Sequence, residues 1–291
     1  MAIQSLVEAA RLLRNRPDLW VAGVVTGLLA AAIWLVLVFS GEFFAGRLVV
    51  LAGLAVVFFI TGIYGLIRHD EAGFRPLVKN GVQYYFRVLL PMLVIVFMVI
   101  LVVALVAVTL SLVGSPMDPV LVVSMTLIFL IPTLLLTFFA DTAGVFEDQK
   151  VFASIRRSTL LVSENLTRVI GFFFVSLFVT CAVLFWLMIV WEALLYTQLE
   201  PLTSYTAEQI QAITADQLLA MIGTNGIWVS AAILFLAGLV LVPLLASYKA
   251  CFFRTLTGSS GTVSSGNRTS TPVSIQQTTG EYDSKGRWYK Y

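Results

Sequence analysis

The sequence predicts an all-α fold: a polytopic transmembrane bundle of six spans, with amphipathic helices at one membrane face. Three observations predict it. Residues 88–113 form a run of 26 without one charge, interrupted only by Pro91, Thr109 and Ser111. At about 1.5 Å per residue, a helix of that length exceeds the roughly 30 Å hydrocarbon layer of a bilayer. The composition agrees, with 59% hydrophobic residues, 12% charged residues and a mean hydropathy of +0.95. Soluble domains carry about twice that share of charge. Third, Lys and Arg alternate between segments: in order, the seven stretches outside the apolar runs hold 3, 1, 4, 0, 4, 0 and 6.

Residues 2–16 open the chain. Ile3, Leu6, Val7, Ala10 and Leu13 share one helical face, accompanied by Arg11, Arg14 and Arg16, which predicts an amphipathic helix. Asn15-Arg16-Pro17 stops it and starts the next, since proline is tolerated in a first helical turn. The first span covers about 20–39. It is too long for a signal-peptide core and lacks a cleavage site, so it reads as a retained helix. Gly23, Gly27 and Ala31 recur every four residues. They either let a second helix approach closely or are ordinary small residues of an apolar helix.

The second span, about 48–67, returns after a short link holding Glu42 and Arg47. Residues 68–87 are polar again. Phe74, Leu77, Val78, Val82 and Tyr85 fall on one helical side, and Arg75, Lys79, Gln83 and Arg87 on the other. That pattern predicts a helix lying on the membrane surface, with a loose loop as the alternative. The third span is the 88–113 run. Gly114-Ser115-Pro116-Met117-Asp118-Pro119 supplies a turn, and the fourth span, about 120–140, contains Pro132.

Between 141 and 168 another surface helix is expected. Val151, Phe152, Ile155 and Val162 make its apolar stripe, opposed by Lys150, Arg157 and Glu164. The fifth span is about 169–190. The segment 197–226 lacks Lys and Arg; Thr206 with Gln209, and Thr214 with Gln217, have capping-box spacing. The sixth span, about 227–248, contains Pro243. From Thr257 onward the chain is rich in Ser, Thr and Gly, which predicts a disordered tail. The domains are therefore 1–256, the membrane bundle, and 257–291, the tail.

By the positive-inside rule, the charge alternation places both termini in the cytoplasm and the protein in the cell membrane. Trp20, Trp191 and Trp228 near span ends fit aromatic belts. Two glycosylation sequons, at Asn165 and Asn267, fall on the cytoplasmic side and are discounted. The chain also reads as three copies of a surface helix followed by a membrane hairpin, about 1–67, 68–140 and 141–256. The returning helix of each copy holds breakers: Gly62 and Gly65, then Pro132, then Pro243. As helix kinks, Pro132 and Pro243 would shape a vestibule; as packing irregularities they would do nothing more.

Composition excludes several functions. A formal charge of +2 gives nucleic acid no reason to bind. Cys181 and Cys251 lie in apolar surroundings and read as buried hydrophobes, not a disulfide. The single histidine, His69, stands beside Asp70 and Glu71, but adjacent helical positions face different ways and do not make a metal site. No cofactor is expected. No ionisable group lies near a span centre, which argues against ion coupling. Asp141 and Lys249 sit at span ends, where Lys249 can snorkel. The basic clusters offer a binding chemistry instead: Arg75, Lys79, Arg156 and Arg157 are candidate contacts for anionic lipid headgroups. The aromatic and basic end, 285–291, is a candidate for docking on a membrane or a protein partner.

The wording after the fourth span is that of a family. Val145-Phe146-Glu147, Val151-Phe152-Ala153-Ser154-Ile155-Arg156-Arg157-Ser158, Asn165 and Arg168-Val169-Ile170-Gly171 resemble prokaryotic six-helix membrane proteins of unknown function. These are similar to the membrane domain fused to some glycerophosphodiester phosphodiesterases. The chain departs from the pattern at Thr159, where an aromatic is usual, and at Asp148-Gln149, where a glycine follows the acid. The resemblance implies the fold but not phosphodiesterase chemistry, which needs a soluble metal-binding domain that no segment here is long enough to form. Two functions are therefore expected to compete: a non-enzymatic membrane component that binds lipids or partners, or a transporter or channel without buried-acid coupling. Oligomeric state is not legible.

Overall fold

The computed structural model describes residues 2–112, 119–206, 208–209, 212–258, 280–282 and 288–290. The chain divides into two units, 1–259 and 260–291.

The first unit is an all-α bundle. In order it comprises α1 (Ala2–Asn15), a 3-10 turn at Pro17–Leu19, α2 (Trp20–Ser40), α3 (Glu42–His69), α4 (Phe74–Leu112), α5 (Pro119–Thr137), α6 (Ala140–Phe146), α7 (Val151–Glu164), α8 (Leu166–Leu194), the single turn α9 (Tyr196–Leu199), a 3-10 turn at Glu200–Ser204, and α10 (Ala215–Leu256). Among the described residues, six helical stretches are long and apolar enough to cross a membrane. The predicted turn at 114–119 lies outside the described residues up to the start of α5, as does the second sequon.

The tightest packing joins α2 to α10. A Cβ on Gly23 or Gly27 would collide with the backbone of Leu239 or Phe235, and one on Gly238 would come within 2.7 Å of Gly27 Cα. The four-residue spacing of Gly23 and Gly27 therefore serves close helix approach. Thr26 Oγ1 donates back to Ala22 O at 2.8 Å, and Trp34 Nε1 donates to Ile227 O at 3.1 Å. Both buried apolar clusters lie toward one end of the bundle. One gathers Leu19, Ile63, Leu66, Leu77, Tyr84 and Val145; the other gathers Phe139, Phe172, Tyr248, Phe252 and Phe253 in mutual ring contact.

Several expectations need correction. Residues 74–87 are not a separate surface helix; they run unbroken through Pro91 into the third span as α4. The buried face of this segment is Leu77, Asn80, Gly81, Tyr84 and Val88, while Phe74 and Val82 are exposed. The reason is α3: Gly62 and Gly65 have no side chains, so Leu77 and Asn80 pack directly on its backbone. These glycines are packing seats and not breakers.

The fourth span is interrupted beyond Pro132, at Phe138 and Phe139, where α5 gives way to α6. The helix α10 continues through Pro243, and its non-helical residue is Gly223 (φ 60°, ψ −170°). Neither proline marks the interruption in its helix: Pro132 is exposed on α5 and Pro243 packs its Cδ beside Gly23.

On α7 the buried face is Ser154, Ser158, Leu161 and Val162, and Phe152 points outward. In the stretches read as the first and third copies, Asn15 and Asn165 separate a short helix from a span. In the second copy the two are fused. Both capping boxes form, Thr206 with Gln209 and Thr214 with Gln217.

The second unit holds a two-stranded antiparallel ladder, β1 (Gly280–Tyr282) with β2 (Trp288–Lys290), pairing Tyr282 with Trp288. The disorder expected of the tail thus does not extend to residues 280–282 and 288–290. The other residues beyond Gly258 lie outside the described residues.

Candidate functional site at the basic end of the bundle

Antiparallel connection brings the start of α2, the end of α3, the start of α4, the end of α5, the start of α8 and the end of α10 to one side. The short helices α1, α6 and α7 lie there too. Nearly all basic residues of the first unit collect at this end, and Arg47 is the exception.

Arg16, just past α1, donates to Asp70 and, at 3.1 Å, to Glu71 O. Two residues on, Asp18 Oδ2 accepts from Gly73 N at 3.0 Å. The Arg16-Pro17-Asp18 restart thereby clasps the link between α3 and α4. Asp70 can close α3 because its backbone adopts the left-handed conformation (φ 54°), which aspartate tolerates better than most residues.

Arg68, in the last turn of α3, binds Asp148 and the Val145 carbonyl, and Arg87 of α4 binds the other oxygen of Asp148. Both guanidinium groups lie over the Tyr84 ring, at 5.4 and 5.6 Å. Bonding to Arg68, with the charges of Arg68 and Arg87 beside it, holds the Asp148 carboxyl below the usual carboxylate range. Asp148 itself is left-handed (φ 54°). Aspartate tolerates this conformation better than most residues, and here it places a carboxylate between two arginines.

The other motif residues also find their work here. Arg157 Nε donates to both oxygens of Glu147, at 2.9 and 3.1 Å. The break between α5 and α6 leaves backbone groups without helical partners. Ser158 Oγ, fully buried, supplies them, donating to Leu136 O at 2.7 Å and accepting from Phe139 N at 3.0 Å. Asn165 Nδ2 reaches back to Leu161 O at 3.2 Å as α7 ends.

Deeper in the bundle Lys249 of α10 meets Asp141 of α6. Nζ lies 2.7 Å from Oδ2, Tyr64 OH donates to the same oxygen at 3.2 Å, and Nζ sits 4.0 Å from the Phe138 ring centre. The side chains are 12% and 23% exposed. Lys249 therefore does not snorkel; it is paired between helices. The sequence reading missed this site because its members lie 77 and 108 residues apart. The available signal was an acid and a base at matching ends of the fourth and sixth spans.

Of the candidate lipid contacts, Arg75, Lys79 and Arg156 are exposed and have no ion pair among the described residues. Arg157 is committed to Glu147 and leaves the set. The structure does not join Arg75 and Lys79, on α4, to Arg156, on α7, through any hydrogen bond or ion pair.

Fold and site together define a polytopic, all-α membrane protein with a charged, internally bonded end. The chain belongs to the family described as a domain of unknown function, DUF7847, whose model matches residues 1–256. No curated protein and no solved structure matches it.

Proposed function

We propose that this protein is a non-enzymatic component of the cell membrane, with both termini cytoplasmic, that binds anionic lipid headgroups at its basic end. The observation that carries this reading is the division of the cations there. Arg16, Arg68, Arg87, Arg157 and Lys249 are spent on internal acids. Among the described residues, Arg75, Lys79 and Arg156 remain exposed without an ion pair, as do Arg11, Arg14, Lys150 and Arg168. Each basic residue near an anionic surface contributes about 1 kcal/mol of attraction. Positive-inside topology needs only that the charges be present; a set left unpaired beside a neutralised network is also free to hold phosphate groups. Kinship with the membrane domain of glycerophosphodiester phosphodiesterases is part of the same proposal. It rests on the resemblance carried by Glu147, Arg157, Ser158 and Asn165.

Native mass spectrometry of protein extracted gently from its own membrane tests the reading. Retained anionic lipid, lost when Arg75, Lys79 and Arg156 become alanine, is expected. Protein that carries no lipid in either form overturns it. A stoichiometric second polypeptide, bound through the tail, would redirect the proposal to a subunit role. The transporter alternative draws on one observation, the Asp141–Lys249 pair held between spans, since paired charges among membrane helices often mark transport paths. Flux in liposomes abolished by Lys249→Met would favour it.

A further inference from the structure

The helix α7 buries one face against the bundle and leaves a second, amphipathic face exposed. Ser154, Ser158, Leu161 and Val162 are buried against the bundle. On the other side stand Phe152, Arg156 and Leu160, at four-residue intervals and thus on one helical face. Phe152 is 76% exposed and Leu160 43% exposed. Arg156 between them is exposed and has no ion pair among the described residues. The same mixture recurs on α1, where Ile3, Val7 and Arg11 are exposed. A phenylalanine so exposed, one turn from a cation and at the charged end of a membrane bundle, has the pattern of a helix lying in a headgroup layer.

We propose that the Phe152–Arg156–Leu160 face of α7 is an interfacial anchor. Phe152 and Leu160 enter the boundary between headgroups and acyl chains, and Arg156 binds anionic headgroups of the surrounding bilayer. The inference rests on the lipid-binding reading above and assigns it to a particular helix face. Charge complementarity selects the occupant: the face carries a cation and two large apolar groups, and an anionic leaflet offers phosphate above hydrocarbon. The internal bonds of Arg157 to Glu147 and of Ser158 to the α5–α6 break fix the helix roll that points this face outward.

The test uses the full chain with Cys181→Ala, Cys251→Ala and Phe152→Cys, labelled with an environment-sensitive fluorophore. It is reconstituted in vesicles of phosphatidylcholine, alone or mixed equally with phosphatidylglycerol. The label is expected to be quenched by headgroup spin-labelled lipid and shielded from aqueous iodide, most strongly in the anionic vesicles. Arg156→Gln should lower the anionic preference about fivefold, the equivalent of one basic residue at the surface. Free access of iodide in both vesicles overturns the anchor. Shielding from both quenchers overturns it too, because a protein surface would then cover the face. Retention of anionic lipid in mass spectrometry while position 152 stays in water would defeat the anchor alone. An anchored label without retained lipid would defeat the broader reading alone.

Discussion

Lys249 Nζ lies 2.7 Å from Asp141 Oδ2, and this contact joins α10 to α6 across 108 residues of chain. The pair is mostly enclosed, so removing one partner strands a charge. Lys249→Met is expected to destabilise the protein by about 3 kcal/mol, since breaking a buried pair typically costs 3–5 kcal/mol and water reaches part of Asp141. The double variant Lys249→Met, Asp141→Leu should recover most of that loss, as hydrophobic replacement of a buried pair is often neutral. A double-mutant cycle of unfolding in detergent measures the difference. Losses that simply add in the double variant would show that the pair is not coupled.

Gly27 and Gly53 both lie in span helices, but their surroundings differ. A Cβ on Gly27 meets the Phe235 backbone, and one on Gly53 meets nothing within 4 Å. Gly27→Ala should cost about 1–3 kcal/mol by forcing α2 and α10 apart. Gly53→Ala should be neutral or stabilising by up to about 1 kcal/mol through helix propensity. Paired thermal unfolding in one detergent separates the two.

Ser158→Ala leaves the Leu136 carbonyl and the Phe139 amide without the partner that the helix break requires. A loss of about 2–3 kcal/mol is expected, because each buried unsatisfied group costs roughly 1–3 kcal/mol. The local signature is faster hydrogen exchange at Phe139 and Ala140. Unchanged exchange there would mean that the break is satisfied by other means.

Asp148 sets a pH dependence. Its carboxyl is held below the usual range by Arg68 and then Arg87, so the folded state binds its proton less readily than the unfolded chain does. The stabilisation is complete above the ordinary carboxylate value of about 3.9 and is lost as pH falls through the depressed folded value. The melting-temperature difference between the native chain and Asp148→Asn should therefore be flat from neutral pH to mild acid. It should shrink only at stronger acidity. A difference that faded already near neutral pH would contradict the assignment.

Much of the fold could be read along the chain because it depends on local periodicity and solvent preference. Six apolar stretches have no stable place outside a bilayer or a very large core, and their lengths alone set the span count. The capping boxes at Thr206 and Thr214 were legible for a similar reason: donor and acceptor lie three residues apart. The helical period of 74–87 and of 151–164 was also correct. The buried side was not, because a stripe of apolar residues does not say which neighbour will cover it. On α4 the choice went to Leu77 and Tyr84 because Gly62 and Gly65 left space on α3. On α7 it went to Ser154 and Ser158, with the α5–α6 break giving Ser158 two backbone groups to bond.

By itself, then, the sequence determined a six-span, all-α chain with its basic residues gathered at alternate segments, since length, hydropathy and charge are properties of contiguous residues. Only the tertiary structure decided which of those charges are spent and which are free. Arg157 went to Glu147, Lys249 to Asp141, and Arg68 and Arg87 to Asp148, while Arg75, Lys79 and Arg156 were left exposed. The physical reason is that an ion pair forms over a few ångströms between residues up to 108 positions apart, and helix packing alone brings such partners within reach.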